Sequence, residues 1–353
     1  MRNKKVLIII LVIAIISVIG VIVAWTFMNN NNKANSNEIK SEQLKENEGN
    51  IEVKESKVDI IDINSKTRPY AIVVNNTPVA VKVQTGLNKA YIVYEIPTEG
   101  NTSRLMALYK DIEEDFTIGT IRSSRHNFID YALESNAIFI HYGWSHYAQD
   151  DQKKGSIDYI NGLFDVPFWR ENPENLASEH TAYTSIAKLK ETIKNKGFKT
   201  EADDTILLNY NSEDVDLSKN ENVKQAKKIN IKYGGYGNVT SFEYDETKKI
   251  YYRMEDDEYC IDHKTKEKVN TKNIIVQKIN YSVCDDKKYW DLKTIGTGEG
   301  YFITNGYAVP ITWKKDSRKG KTKYFYKNGQ EIEVSDGRTY IEIETNNQGI
   351  TLE

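Results

Sequence analysis

The sequence predicts a mixed α+β fold, with an N-terminal α/β domain followed by a mostly antiparallel β domain, the two preceded by one transmembrane helix. Three patterns predict it: an uncharged apolar run near the start, strand and helix patterns that alternate up to about residue 200, and short strands separated by Gly, Asn and Asp turns thereafter. The 353 residues, 39% of them hydrophobic, suffice for two domains with their own cores.

The first element is the apolar run Val6–Phe27, which contains 22 residues. At 1.5 Å per residue, a helix of this length crosses a hydrocarbon core of about 30 Å. Arg2, Lys4 and Lys5 precede the run, and such basic residues stay in the cytoplasm. A cleaved signal peptide is the alternative, although its apolar region would be only about 7–15 residues long. We therefore predict a signal anchor over residues 1–28, giving a single-pass cell-membrane protein with its later domains outside the cytoplasm.

Residues 29–67 are rich in Asn, Lys, Glu and Ser and contain no aromatic residue. Such a composition buries too little apolar surface to offset the entropy of ordering. The sequence therefore predicts a flexible tether over 29–67, an N-terminal α/β domain over 68–204 and a C-terminal β-rich domain over 205–353.

The N-terminal domain shows apolar strand patterns alternating with helix patterns. Ser123–Ser124 suits a helix N-cap, and Phe128, Tyr131 and Ala132 then share one helix face. Gly197 is suited to end a second helix. The predicted elements are strands over 69–75, 90–94, 103–109, 118–122 and 137–141, a helix after residue 124 and a helix over 185–196.

The C-terminal domain contains short strand patterns separated by turn residues. Asn328–Gly329 predicts a hairpin with a type I′ turn, which requires two positive φ angles. The predicted strands are 239–244, 250–254, 273–277, 300–303, 308–313, 323–326, 331–334 and 339–344.

Composition and charge narrow the class of protein. The net charge of -3, from 48 basic and 51 acidic residues, provides no positive field for nucleic acid, so no nucleic-acid partner is predicted. The signatures of phosphate-binding loops, serine hydrolases and zinc proteases are absent from the sequence, and no cofactor is predicted. Cys260 and Cys284 are the only cysteines and lie in one predicted domain, which favours a disulfide outside the cytoplasm. Two buried thiols are the alternative.

Arginine is concentrated in one window of a lysine-rich chain. Four arginines and three lysines lie between residues 104 and 170, whereas five arginines and 36 lysines lie elsewhere. Arginine in such a background indicates that a planar, bidentate donor for phosphate or carboxylate is needed. The candidate ligand-binding residues are Glu99, Arg104, Arg122, Ser123, Arg125, His141, Ser145, Arg170 and His180.

The placement of these residues supports an anion site. Arg122 and Arg125 flank a predicted helix N-terminus, where free N–H groups and the helix dipole favour negative charge. His141 and Ser145 follow a buried strand, where ligands gather in α/β sheets. Glu99 and Glu95 either balance the arginines or act as a base. Ordinary ion pairs are the alternative interpretation, and the histidine spacing matches no metal-ligand signature, so no metal is predicted.

A series of short stretches, taken in order, is specific to one family of proteins. These stretches are 68–75, 84–87, 90–95, 99–104, 118–125, 141–145, 168–170, His180 with Tyr183, 296–298, 305–306 and 313–314. On these stretches the chain resembles the YerB-like family of bacterial extracytoplasmic proteins, often lipoproteins. This resemblance implies two YerB-like domains but no assigned activity. Thr120 stands where the family commonly has Pro, Thr181 stands where it has Asn, and the lipid-attachment cysteine is missing.

Three functions are compatible with these patterns. The first is binding of an anionic ligand, either a cell-envelope glycopolymer phosphate or a peptidoglycan fragment, by a membrane-anchored envelope protein. The second is transfer of a glycopolymer from a lipid pyrophosphate, because the layout is similar to that of LytR-CpsA-Psr transferases, although aspartates for magnesium are not evident beside Arg122 and Arg125. The third is docking of another envelope protein as an assembly factor.

Overall fold

The computed structural model describes residues 57–353 except 101, 234–238, 285–288 and 346–348. The predicted signal anchor over 1–28 lies outside the described residues, as does the predicted tether up to residue 56. Within the described ranges, no helix is long and apolar enough to cross a membrane. Residues 57–67, predicted as the end of the tether, pack on the folded unit: Val58 and Ile61 are buried, and the backbone N–H groups of Asp59 and Ile60 donate to the Asp336 carboxylate.

The first half of the described chain alternates strands with helices. Short 3₁₀ turns span Leu87–Lys89 and Ser178–His180. The helices are α1 (Pro78–Val81), α2 (His126–Leu133), α3 (His146–Lys153) and α4 (Ile186–Lys196). The strands are β1 (Tyr70–Asn75), β2 (Ile92–Thr98), β3 (Thr102–Tyr109), β4 (Thr117–Gly119), β5 (Ile138–His141), β6 (Tyr159–Asn161), β7 (Phe168–Arg170) and β8 (Ala182–Ser185).

In the second half of the chain, the described residues contain strands and turns but no helix. Of the predicted hairpin turn, Gly329 has a positive φ of 84° and Asn328 does not, so the turn is not type I′. The strands are β9 (Tyr210–Asn211), β10 (Lys224–Gln225), β11 (Lys228–Lys232), β12 (Val239–Asp245), β13 (Ile250–Glu255), β14 (Glu258–Tyr259), β15 (Asn270–Thr271), β16 (Asn273–Ile279), β17 (Tyr281–Val283), β18 (Trp290–Leu292), β19 (Gly296–Thr304), β20 (Tyr307–Lys315), β21 (Lys323–Tyr326), β22 (Val334–Ser335), β23 (Thr339–Thr345) and β24 (Ile350–Leu352).

One sheet of eleven strands runs through both halves in the order β10-β20-β19-β16-β23-β2-β3-β1-β5-β6, with β21 added beside β20. The halves join where β2 and β23 pair in parallel, with Ile92 opposite Thr339 and Glu95 opposite Glu342. A second sheet has the order β14-β13-β12-β11-β24, with β15 beside β13. The fold is therefore mixed α/β and mostly strands, and residues 57–353 form one compact unit.

The two faces of the large sheet are buried by different elements. On one face, Tyr94 and Met106 share a core with Phe128 and Ile129 of α2. On the other, Val93 and Ala107 pack with the second sheet and with α4. Alternate residues of each strand thus enter opposite cores, as the period of two requires.

A charged cluster is buried between the two sheets. Arg253 Nη2 lies 3.0 Å from Glu95 Oε2 and 3.0 Å from Glu255 Oε2. Glu342 of β23 lies opposite Glu95 of β2 and accepts a hydrogen bond of 2.8 Å from the Tyr233 hydroxyl. Burial raises the pKa of Glu255 to about 7, with Arg253 opposing the shift and Glu95 adding to it. Burial likewise raises the pKa of Glu342 well above its usual range.

The predicted disulfide between Cys260 and Cys284 is wrong, because the two sulfur atoms are not bonded to each other. Cys260 is buried in the core beneath the second sheet, and its Sγ accepts a hydrogen bond of 2.9 Å from Arg253 Nη1. Cys284 follows β17, whose Tyr281 packs on the opposite face of the large sheet. The segments that carry the cysteines are close in sequence, but they enter different layers of the fold.

The carboxyl ends of three parallel strands meet at one edge of the large sheet. Strands β1, β5 and β6 are neighbours in parallel and end at Asn75, His141 and Asn161. Antiparallel β3 places Arg104 directly opposite Asn75. Side chains from separate segments therefore converge at this edge.

Candidate functional site

The segment that carries two of the predicted arginines crosses the carboxyl ends of β1 and β5. Arg122 donates its backbone N–H to Val73 O at 2.9 Å, and its own carbonyl accepts from Tyr142 N at 3.0 Å. Ser124 N donates to Gly143 O at 2.9 Å. These bonds fix the segment just before α2, whose N-cap is Arg125 and not the predicted serine pair. Backbone pairing at both strand ends thus positions the arginine side chains.

Arg104, Arg125 and Glu99 form the inner part of the site. Arg125 Nε donates to both Glu99 carboxylate oxygens, at 3.0 and 2.9 Å. Burial opposes ionisation of Glu99, but the Arg125 hydrogen bond and charge outweigh it and lower the pKa. Arg104 is only 9% exposed and donates to the Ser123 carbonyl. Burial lowers the pKa of Arg104 to about 9, and the like charges of Arg125 and Arg122 add to this shift while Glu99 opposes it.

Arg122, Glu179 and His180 form the outer part. Arg122 Nη2 lies 3.1 Å from Glu179 Oε1, whereas the buried Arg122 Nε has no hydrogen-bond partner among the described residues. His180 Nδ1 lies 2.8 Å from Asn75 Nδ2. Burial lowers the pKa of His180; Glu179 opposes this shift and Arg122 adds to it. A neutral His180 therefore leaves the positive charge of the site to the arginines.

Arg170 holds the loop that carries Glu179 and His180. Its guanidinium donates to the Ser178 carbonyl and, at 3.0 Å, to Thr181 Oγ1. The same guanidinium lies 5.0 Å from the centre of the Tyr142 ring. The loop thus connects Arg170 to Arg122, and the two arginines belong to one surface.

Three predicted residues have internal roles. His141 is fully buried, with Nδ1 at 2.8 Å from Gly143 O and Nε2 at 3.0 Å from Gln152 Oε1, and burial lowers its pKa to about 4. Ser145 is buried and caps α3 by accepting from Ala148 N. Ser123 Oγ donates to the Tyr142 carbonyl at 3.0 Å. These polar groups tie the loops together.

We call the set Arg104, Arg122, Arg125 and Arg170 with Glu99 and Glu179 the arginine cluster. Four guanidinium groups and two carboxylates leave two net positive charges. The sequence reasoning did not include Glu179, although it directly precedes His180, nor Tyr289, whose ring lies 5.3 Å from the Arg125 guanidinium. Tyr289 belongs to the second half of the chain, and no local sequence pattern indicates that it contacts Arg125. Among the described residues, no group of three or more His, Cys, Asp and Glu could hold a metal ion.

The fold and the arginine cluster together define a class of two-part, strand-rich α/β proteins. The chain belongs to the family described as "Protein of unknown function (DUF3048)", whose N-terminal domain model matches residues 58–199 and whose C-terminal domain model matches residues 229–341.

The resemblance to the YerB-like family is confirmed by a relative, the "Putative lipoprotein YerB" of Bacillus subtilis (strain 168). It is 30% identical over 278 residues, which cover 78% of each chain. The crystal structure of the Bacillus subtilis YerB protein superposes with a TM-score of 0.70 at 28% identity, covering 81% of this chain and 94% of that one. The peptide bond between Gly119 and Thr120, where the family commonly has Pro, is cis.

Proposed function

We propose that this protein is a membrane-anchored, extracytoplasmic cell-envelope protein that binds an anionic ligand through the arginine cluster. The observation that carries the proposal is the excess positive charge at the carboxyl edge of the sheet. Arg104 is almost fully buried beside two other arginines, and its lowered pKa is the expected consequence of burial and repulsion between cations. A bound phosphate or carboxylate would relieve that repulsion.

The donors of the cluster suit such a ligand. A guanidinium donates through a planar fork that matches two oxygens of one phosphate or carboxylate. Arg122 Nε has no hydrogen-bond partner within the part of the chain that the structure describes, which is costly unless a ligand accepts from it. The ligand we propose is an envelope glycopolymer phosphate or a peptidoglycan carboxylate. We favour ligand binding over glycopolymer transfer and over protein docking. The net positive charge of the arginine cluster is explained by a bound anion alone, without a chemical reaction or a protein partner.

The proposed location has two supports. The apolar run Val6–Phe27 is long enough to anchor the chain with its later residues outside the cytoplasm. The relative from Bacillus subtilis carries the word lipoprotein in its name, which describes attachment to a membrane. In this chain the proposed attachment is the apolar run.

The test is calorimetric titration of the full chain in detergent micelles with a soluble poly(glycerol phosphate). We expect binding that weakens with added salt, and Arg122→Gln should weaken it about 10- to 100-fold, because a hydrogen bond to a charged group is worth about 1.5–3 kcal/mol. Arg68→Gln is the matched control, since Arg68 pairs with Asp158 at 2.6 Å near the opposite end of β1. Equal affinity of both variants and the unaltered chain would contradict the proposal, as would an absence of binding.

A further inference from the structure

The loop between β6 and β7 presents an apolar tip to solvent. Leu163 is 53% exposed, Phe164 is 70% exposed and Val166 is 85% exposed. Single exposed apolar residues are common on protein surfaces, but three within four positions form a patch that indicates an interaction. We call Leu163, Phe164 and Val166 the apolar tip.

The tip is a rigid part of the structure. Asn161 Oδ1 accepts from Leu163 N at 3.1 Å, and the Asn161 carbonyl accepts from Phe164 N at 2.9 Å. At the base of the loop, a Cβ on Gly162 would lie 2.1 Å from a carbon of the Tyr142 ring. The loop is therefore held by its own hydrogen bonds and by the ring beneath it, with its apolar side chains pointing outward.

The charges around the tip are arranged for an anionic partner. Asp165 is the acidic residue of the loop, and it points inward, with Oδ2 at 2.7 Å from Asn161 N and Oδ1 at 2.8 Å from Lys196 Nζ. Two exposed cations flank the loop's end: Arg170, which belongs to the arginine cluster, and Lys188, which lies 5.9 Å from the Trp169 ring. The carboxylate of Glu171, which follows Arg170, is paired with Lys264 Nζ at 2.5 Å. An apolar tip with two exposed cations beside it matches the lipid tails and anionic headgroups of a bilayer.

Aromatic side chains flank the tip on both sides. The ring of half-buried Trp144 lies 5.6 Å from that of Phe164, and half-buried Trp169 follows in β7. Tryptophan is enriched at the interface between membrane and water, where its apolar ring and N–H group meet different surroundings. The tip and its flanks thus have the composition of a membrane-contacting surface.

We propose that the apolar tip inserts into the surface of an anionic lipid bilayer and brings the arginine cluster to the level of the headgroup phosphates. The inference rests on the proposed function, because the bilayer is the one to which residues 1–28 would anchor the chain. The tip follows Asn161 at the carboxyl end of β6, which pairs with His141 of β5, and Ile140 pairs with Ile72 of β1. The tip therefore lies only about 10 Å along the strand direction beyond the amino end of β1, before which the described chain begins. Residues 29–56 number 28, and 28 residues can span at most about 100 Å, so the chain length permits this orientation.

The test uses residues 57–353, since these form one compact unit with its own cores and lack the proposed anchor. Sedimentation with vesicles of equimolar phosphatidylglycerol and phosphatidylcholine measures the partition coefficient. We expect binding, with Phe164→Ser lowering the coefficient about tenfold or more, because that substitution removes the largest apolar side chain of the tip. Ile295→Ser, which alters a 50% exposed residue of the second half, should leave the coefficient unchanged.

Three results would overturn the inference: no sedimentation with vesicles, equal sedimentation of Phe164→Ser, or a Phe164-dependent dimer without vesicle binding in sedimentation velocity. If Arg122→Gln abolishes vesicle binding while Phe164→Ser does not, the arginine cluster binds lipid phosphate and the tip does not dock. Vesicle binding that depends on Phe164, together with no binding of soluble poly(glycerol phosphate), would support docking and contradict the proposed function. The two proposals can therefore fail separately.

Discussion

The raised pKa of Glu255 predicts how stability depends on pH. This carboxyl group has a pKa of about 7 in the folded protein and an ordinary value of 4.5 when unfolded. Folding therefore favours the protonated form, so the group's stabilising contribution is complete below pH 4.5 and is lost as the pH rises through 7. A shift of about 2.5 pH units corresponds to about 3 kcal/mol of unfolding free energy.

His141 acts in the opposite direction over nearly the same range. Its pKa is lowered from 6.5 to about 4 in the folded protein, so its contribution is complete above pH 6.5 and is lost as the pH falls through 4. The two opposing dependences partly cancel in the unaltered protein. The informative measurement is therefore the difference between the unaltered protein and Glu255→Gln, and not the profile of the unaltered protein alone.

Urea unfolding of residues 57–353, followed by tryptophan fluorescence between pH 4.5 and 8.5, measures that difference. We expect the stability of Glu255→Gln relative to the unaltered protein to rise by about 3 kcal/mol from the acidic to the alkaline end. Glu258→Gln is the matched control, because Glu258 is an exposed carboxylate opposite Glu255 in the same sheet. If the Glu255→Gln and Glu258→Gln profiles run parallel, the burial argument for Glu255 is refuted.

Three further predictions concern the packing of the described chain. Arg253→Met should lower the unfolding free energy by about 3–5 kcal/mol at pH 8, because it leaves Glu95 and Glu255 without their cation; a loss below about 1 kcal/mol in urea unfolding would contradict this. Cys260 is buried, and burial raises the pKa of its thiol, so it should resist thiol reagents in the folded protein and react with them on unfolding without reductant. If it reacts only after reductant is added, the protein contains the disulfide after all. Gly162→Ala should lower the unfolding free energy by about 1–3 kcal/mol, because the added Cβ would overlap the Tyr142 ring. An unchanged melting temperature would contradict this and show that the loop can shift to make room for the Cβ.

Local patterns in the sequence predicted individual elements well. The apolar stretch over 69–75 is β1, and the helix predicted to stop at Gly197 does so there, with Gly197 at a positive φ of 68°. Both depend on neighbouring residues alone: strand alternation in one case, and the freedom of glycine to adopt a left-handed conformation in the other. The mixed, strand-rich fold class followed from the same patterns.

Contacts between distant segments could not be predicted in this way. Nothing near Ile92 indicates that its neighbour across the sheet is Thr339, because parallel pairing leaves no turn signal in the sequence. The same limit explains the mistaken disulfide between Cys260 and Cys284. Within the candidate site, residue type was enough to identify the arginines. The burial of His141 and Ser145 depends on how the loops pack, and no local pattern indicates it.

The parallel pairing of β2 with β23 has a consequence for the newly synthesised chain. Strand β2 is complete by Thr98, but its neighbour on one side is supplied only when residues 339–345 emerge. Until then the edge of β2 offers unpaired backbone groups to any other extended chain. Pairing over so long a separation also slows folding. A nascent copy that stalls or is trimmed before residue 339 would keep that open edge and would be exposed to aggregation. The last few strands therefore protect a newly made molecule as well as completing its sheet.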